Sequence, residues 1–182
     1  SIRSPIRVGY SSGFEAFLTH PIPDHRFKEA SRSMAEYHLE LLREAELVAG
    51  HPEPFVSIGE EDDFADRCFC DFEFKGVWVG LVPAAADPRR TWDLKQFAKA
   101  ADEIVQLVEG RGILLGAETE RGVLDKVEGL MCTNPVNFCG QANIFQTAAL
   151  LRRCHLMVSV NTGLMHLGAS VGVKIVALMF EG

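Results

Sequence analysis

Three observations predict an α/β fold, a Rossmann-like parallel sheet with helices on both faces. From Gly76 onward, short apolar runs rich in β-branched residues alternate with stretches of helical period, the order that builds a parallel sheet through crossover connections. Residues 157–178 hold that unit in miniature. An apolar run stops at Asn161-Thr162-Gly163, an amphipathic stretch follows, and a second apolar run begins at Lys174. Three loop patches also follow predicted strands, after Val82, Leu115 and Val160, and ligands in open α/β sheets bind beyond the carboxyl ends of strands.

Taken in order, Ile6 to Tyr10 is the first strand candidate. Ser11 to Lys28 holds Gly13, Pro21 and Pro23 and reads as a loop. Glu29 to Ala49 reads as a helix, because Met34, Tyr37, His38, Leu41, Leu42, Ala45 and Val48 recur at helical spacing. Gly50, Pro52 and Pro54 end it. Residues 55–75 mix acidic and aromatic side chains and read as a connector with little regular structure. Val77 to Val82 is a strand, and Asp93 to Glu109 a helix whose Asp93 and Gln96 suit a capping box. Gly112 to Leu115 is the next strand, Thr119 to Leu130 a weaker helix, and Asn143 to Arg152 a further helix. Leu156 to Val160 and Lys174 to Leu178 complete the strands. The expected organisation is residues 1–54, a linker over 55–75, and an α/β domain over 76–182.

Composition narrows the function classes. The chain has 182 residues, 47% of them hydrophobic, enough to bury a full core. A net charge of −7, with Lys and Arg scattered, argues against a nucleic-acid partner, which needs a clustered basic surface. No apolar run approaches the ~18 residues of a spanning helix. Ser1 in place of Met reads as a chain whose N-terminus lies upstream. Of the five cysteines, Cys68 and Cys70 form a Cys-x-Cys and the others are dispersed, so neither a zinc site nor a disulfide framework is expected. His20 and His25 look like a ligand pair, but they sit in a Pro-rich stretch and read as solvated loop histidines. No Gly-x-Gly-x-x-Gly opens a helix, no Walker-type loop is present, and Ser11-Ser12-Gly13 is no nucleophile elbow. Dehydrogenase, kinase and esterase chemistry are thereby set aside.

The turn at Asn161-Thr162-Gly163 is where an anion site is expected. A helix N-terminus aims free backbone N–H groups at a ligand, short polar side chains cap it, and Gly lets the backbone come close. His166 follows one turn later, near enough to face the same loop. The same pattern also describes an ordinary strand-to-helix turn, and His166 then reads as a packed core histidine. Because the three loop patches all end strands, they are expected to share one cleft.

These patches resemble glycosyltransferase family 9, the ADP-heptose:lipopolysaccharide heptosyltransferases. Asn161-Thr162-Gly163-Leu164-Met165-His166 is similar to that family's Asp-Thr-Gly turn and following His, with Asn in place of Asp. Leu81 to Trp92 resembles its Pro-containing loop leading to Lys-Arg-Trp, with Arg90 at the Lys position and Thr91 at the Arg position. Leu114 to Arg121 resembles its strand-Gly-x-x-x-Glu segment, ending at Glu120.

The resemblance implies a GT-B-type C-terminal domain with a remnant of the N-terminal, acceptor-side domain. It also implies a metal-independent glycosyltransferase without a cofactor, moving a heptose-type sugar from an ADP-heptose-like donor to a lipopolysaccharide core acceptor. Arg90 would neutralise the diphosphate, Glu120 accept ribose hydroxyls, Thr162 and Gly163 form the phosphate loop, and Asn161 bond a sugar hydroxyl, with His166 beside them. Ala85 and Ala86 stand where the family offers hydroxyls to the phosphates. The expected catalytic Asp base would precede Ser1, so the chain reads as a fragment, inactive alone. An odd cysteine count in an acidic α/β chain fits a reducing, cytoplasmic setting, and a lipid-linked acceptor leaves room for peripheral association with the inner membrane. The alternative is a non-catalytic nucleotide-binding or structural Rossmann-like domain.

Overall fold

The computed structural model describes residues 5–11, 15–23, 34–46, 56–87 and 91–179. They divide into two compact units, Ser1–Glu53 and Pro54–Gly182. In the first unit, β1 (Val8–Ser11) and β2 (His20–Pro23) form a parallel pair in the register Val8 to His20. Helix α1 (Met34–Glu44) is the helical part of the predicted 29–49 stretch that falls within the described residues.

Strand β2 corrects the loop expected across Ser11 to Lys28. The His20 N–H donates to the Arg7 carbonyl at 3.1 Å. With the side-to-side period of two, Ile22 faces β1 in the same way, and Pro21 and Pro23 turn their donor-less nitrogens away from the ladder. Two prolines can therefore sit in a strand that pairs on one side.

In the second unit, helix α2 (Glu61–Cys70) precedes an alternating series. The series runs β3 (Trp78–Val82), α3 (Leu94–Leu107), β4 (Arg111–Leu114), α4 (Arg121–Leu130) and β5 (Val136–Asn137), then α5 (Ile144–Arg153), β6 (Leu156–Val160), α6 (Gly163–Ser170) and β7 (Lys174–Leu178). All five strands are parallel in the order β5-β4-β3-β6-β7. The chain steps outward from β3 to β5, returns to the other side of β3 at β6, and continues to β7. The switch in direction lies between β3 and β6, and ligands of doubly wound sheets bind at that point, outside the carboxyl strand ends.

Strand alternation sorts the core onto two faces. Val79 and Leu81 of β3, Leu114 after Ile113 in β4, and Val158 of β6 pack with Phe97, Ala98, Ala101 and Val105 of α3 and Leu124 and Val127 of α4. Trp78, Val82, Ile113, Leu115 and Met157 point the other way, against Ala149, Leu150 and Leu151 of α5 and Leu164 and Leu167 of α6. Both faces of the central strands are thus buried, which is why they read as continuous apolar runs.

Helix α2 corrects the expected connector over 55–75. It lies on the second face, with Ala65 fully buried and Phe64, Cys68 and Phe69 packed around it. Phe69, Phe72 and Phe74 surround Trp78, with ring centroids 4.6, 6.0 and 5.2 Å away. Its acidic first turn, Glu61-Asp62-Asp63, suits a helix N-terminus. Asp62 pairs with Arg152 and Arg153, and Asp66 with Arg153 at 2.6 Å, so charges that read as solvated loop are tied to α5. Strand β5, two residues long and unforeseen, is anchored from behind. Asp102 of α3 accepts the Cys132 N–H at 2.8 Å and the Thr133 hydroxyl at 2.6 Å just before it.

Candidate functional site

Two loops and two helix starts meet at the switch point around a cavity of about 330 Å³. Ala86 comes from the loop after β3, and Gly116, Ala117 and Glu120 from the turn after β4. Thr162, Gly163 and Leu164 come from the start of α6, and Ala142, Ile144 and Thr147 from the start of α5. Local chemistry explains each wall.

Thr162 is extended (φ −145°, ψ 168°) at the cap of α6, and its hydroxyl makes no capping bond. The Met165 N–H reaches the Thr162 carbonyl at 3.1 Å, which leaves the Gly163 and Leu164 N–H groups as the open donors of the first turn. Around Gly163 nothing lies within 4 Å of the place a Cβ would occupy. The backbone at the positive end of α6 is thus uncrowded on the side a Gly163 side chain would occupy, and Gly163 lines the cavity.

On the opposite wall, Glu120 closes a single 3-10 turn, Glu118–Glu120. Its Oε2 accepts the Ala117 N–H at 2.8 Å. That bond folds the carboxylate back over the turn and leaves Oε1 free of hydrogen bonds among the described residues. Glu118 takes the neighbouring Arg121 guanidinium in a fork at 2.6 and 2.5 Å. The contact holds the Glu118 carboxyl below its ordinary range, chiefly through Arg121 hydrogen bonding. Arg121 Nη2 also donates to the Cys139 carbonyl at 2.7 Å.

The third wall is the start of α5. Asn143 Oδ1 accepts the Gln146 N–H and Gln146 Oε1 accepts the Asn143 N–H, each at 2.9 Å, a complete capping box. Thr147 is buried one turn in, while Ile144 is exposed at the rim.

The cavity joins Glu120, Thr162 and Gly163, three of the six residues expected to share a site. Asn161, half-buried at the end of β6, and His166 are not among its lining residues. His166 is exposed one turn along α6, so the packed-core reading of that histidine is corrected: its position falls on the solvent side of a short helix. Arg90 lies outside the described residues. The α5 wall was not foreseen, although Asn143-x-x-Gln146, a capping signature shortly after a strand end, was the signal that could have located it. Among the described residues no cluster of His, Cys, Asp and Glu is arranged to hold a metal ion.

A doubly wound parallel sheet with a cavity at its switch point places the chain in the class of open α/β folds, whose ligands bind outside the carboxyl strand ends. The chain belongs to glycosyltransferase family 9 (heptosyltransferase), whose profile matches residues 2–180. It is 24% identical over 127 residues to the lipopolysaccharide core heptosyltransferase OpsX of Haemophilus influenzae, covering 68% of this chain and 35% of that protein. The crystal structure of a family 9 glycosyl transferase from Veillonella parvula superposes with a TM-score of 0.80 at 25% identity, over 97% of this chain and 51% of the other. The ADP-heptose LPS heptosyltransferase II of E. coli superposes at 0.73 with 21% identity, over 95% and 55%. The chain therefore spans a third to a half of the length of these relatives.

Proposed function

We propose that this chain is the nucleotide-sugar-binding part of a heptosyltransferase, which moves a heptose-type sugar from an ADP-heptose-like donor to a lipopolysaccharide core acceptor. The observation that carries this is the cavity itself: in a chain of this family, Glu120 and the Thr162-Gly163 helix start face one space at the switch point. The Gly163 and Leu164 N–H groups take the diphosphate, and the open Glu120 oxygen accepts a ribose hydroxyl. Arg90 adds a cation to the diphosphate, Asn161 bonds a donor hydroxyl, and exposed His166 stands beside the loop. An acceptor hydroxyl attacks the anomeric carbon and ADP leaves. Charge develops on the departing diphosphate, where the helix start and Arg90 stabilise it without a metal. A general base takes the proton of the acceptor hydroxyl as it attacks. The protein works on the cytoplasmic side, meeting its lipid-linked acceptor at the inner membrane surface; no helix among the described residues is long and apolar enough to cross a membrane.

A second reading, nucleotide binding without turnover, draws on Asn161 in place of the family's Asp and on Ala85 and Ala86 in place of hydroxyls. Calorimetric titration with ADP, AMP and adenosine tests the shared part. ADP should bind best, and Arg90→Ala should weaken ADP by about 1.5–3 kcal/mol while leaving adenosine nearly untouched. Equal losses for both ligands would assign Arg90 to the fold, and absence of ADP binding would end both readings. Consumption of ADP-heptose in the presence of a lipopolysaccharide core acceptor separates the transferase from the binding module.

A further inference from the structure

The turn that presents Glu120 has little to hold it from within. Ala117, Glu118 and Thr119 are exposed, and one backbone bond, Glu120 N–H to the Ala117 carbonyl at 2.9 Å, closes the 3-10 turn. Its fixed points lie across the sheet edge, in the turn after β5. The Gly140 N–H donates to the Gly116 carbonyl at 3.0 Å, and the Cys139 thiol donates to the Ala117 carbonyl at 3.2 Å.

Arg121 closes this link. Its planar fork spends Nε and Nη2 on Glu118 and uses Nη2 again on the Cys139 carbonyl. Glu118, held this way, lies over Gly140, which sits at φ +66° and where any Cβ would run into the Glu118 carboxylate. The turn after β5 leads directly into Ala142, Ile144 and Thr147, the α5 wall of the cavity. Arg121 is not itself a lining residue.

We propose that Arg121 is a positioning residue for nucleotide binding: it ties the β4 turn to the β5 turn and so sets the distance between the Glu120 carboxylate and the α5 wall. The proposal rests on the nucleotide reading of the cavity given above. An exposed ion pair is a weak stabiliser of a fold. Losing it leaves the domain standing and frees the turn, so the effect falls on the ribose contact and spares the diphosphate contact at α6. Lysine can satisfy Glu118 or the Cys139 carbonyl but has no planar fork for both.

The test is calorimetric titration of the protein, Arg121→Ala and Arg121→Lys with ADP, 2′,3′-dideoxy-ADP and AMP, each variant first checked by thermal melting. Wild type should prefer ADP over the dideoxy analogue by about tenfold, and R121A should bring that ratio to within about twofold of unity, with R121K between. The preference for ADP over AMP should survive in all three. A general loosening of the structure would instead lower every affinity together, and that result overturns the proposal. So does a folded R121A that keeps the wild-type ratio, with the cavity reading left intact. A wild type that fails to distinguish ADP from the dideoxy analogue removes the role given to Glu120, and the proposal with it. If R121A does not fold, Arg121→Gln, which keeps part of the stem and loses the charged fork to both Glu118 and the Cys139 carbonyl, carries the same expectation.

Discussion

Gly163 separates what the fold needs from what a ligand needs. No atom lies within 4 Å of the Cβ position, so the packing of the domain does not require glycine there. Alanine is the better helix residue by up to about 1 kcal/mol, so Gly163→Ala should leave the melting temperature unchanged or raise it slightly. The added methyl would take up space in the cavity that Gly163 lines, and ADP affinity should fall by about tenfold or more. Thermal melting with and without ADP reads both effects, and an unchanged ADP shift would show that the phosphate does not sit on α6. The places of Thr162 and Gly163 in the cavity were legible locally, from a strand end and a cap position, and that of Glu120 through the resemblance of Gly116-x-x-x-Glu120 to the family's segment. The side on which His166 falls was not, because it depends on how α6 is rotated against β6 and β7, which spacing alone does not specify.

Among the elements, the helices with clear caps were the readable ones. Asp93 opens α3 by accepting the Gln96 N–H at 3.0 Å, as its spacing suggested. Helix α2 escaped because its first turn is acidic and its apolar face is short, and the partners that make sense of it, Trp78, Arg152 and Arg153, lie far along the chain. Strand β5 was too short to show any period. Since α2 covers one face of the sheet, a charge placed beneath it should be costly. Ala65 is fully buried among apolar groups. Ala65→Asp puts a carboxylate there with no partner and should destabilise the domain by about 3 kcal/mol or more. Denaturant titration of the variant gives the value, and a loss near zero would mean that α2 detaches freely from α5.

At the scale of the whole second unit, the alternation of β3, β4 and β6 makes the two faces of the sheet share their strands, so they should unfold together. Two buried thiols report on them separately. Cys139 belongs to the face of α3 and α4, and Cys154 to the face of α2, α5 and α6. Burial pushes both thiols above their ordinary pKa, Cys154 up to about 12, so neither is nucleophilic near neutrality, while Cys70 and Cys132 are exposed. Alkylation in buffer near pH 8 should therefore modify Cys70 and Cys132 first. With rising denaturant, Cys139 and Cys154 should become reactive at one common midpoint. Two separate midpoints would mean that the faces are independent layers and that the cavity at their junction lacks a rigid frame. The same burial fixes the alkaline limit. A thiol whose pKa is raised by folding keeps its proton in the native state after the unfolded chain has lost it, so its contribution to stability is complete below about pH 9 and is lost as pH climbs towards about 12. Cys154→Ala should flatten that alkaline decline in a melting curve series. A decline of unchanged steepness in this variant would place its origin in groups other than the Cys154 thiol.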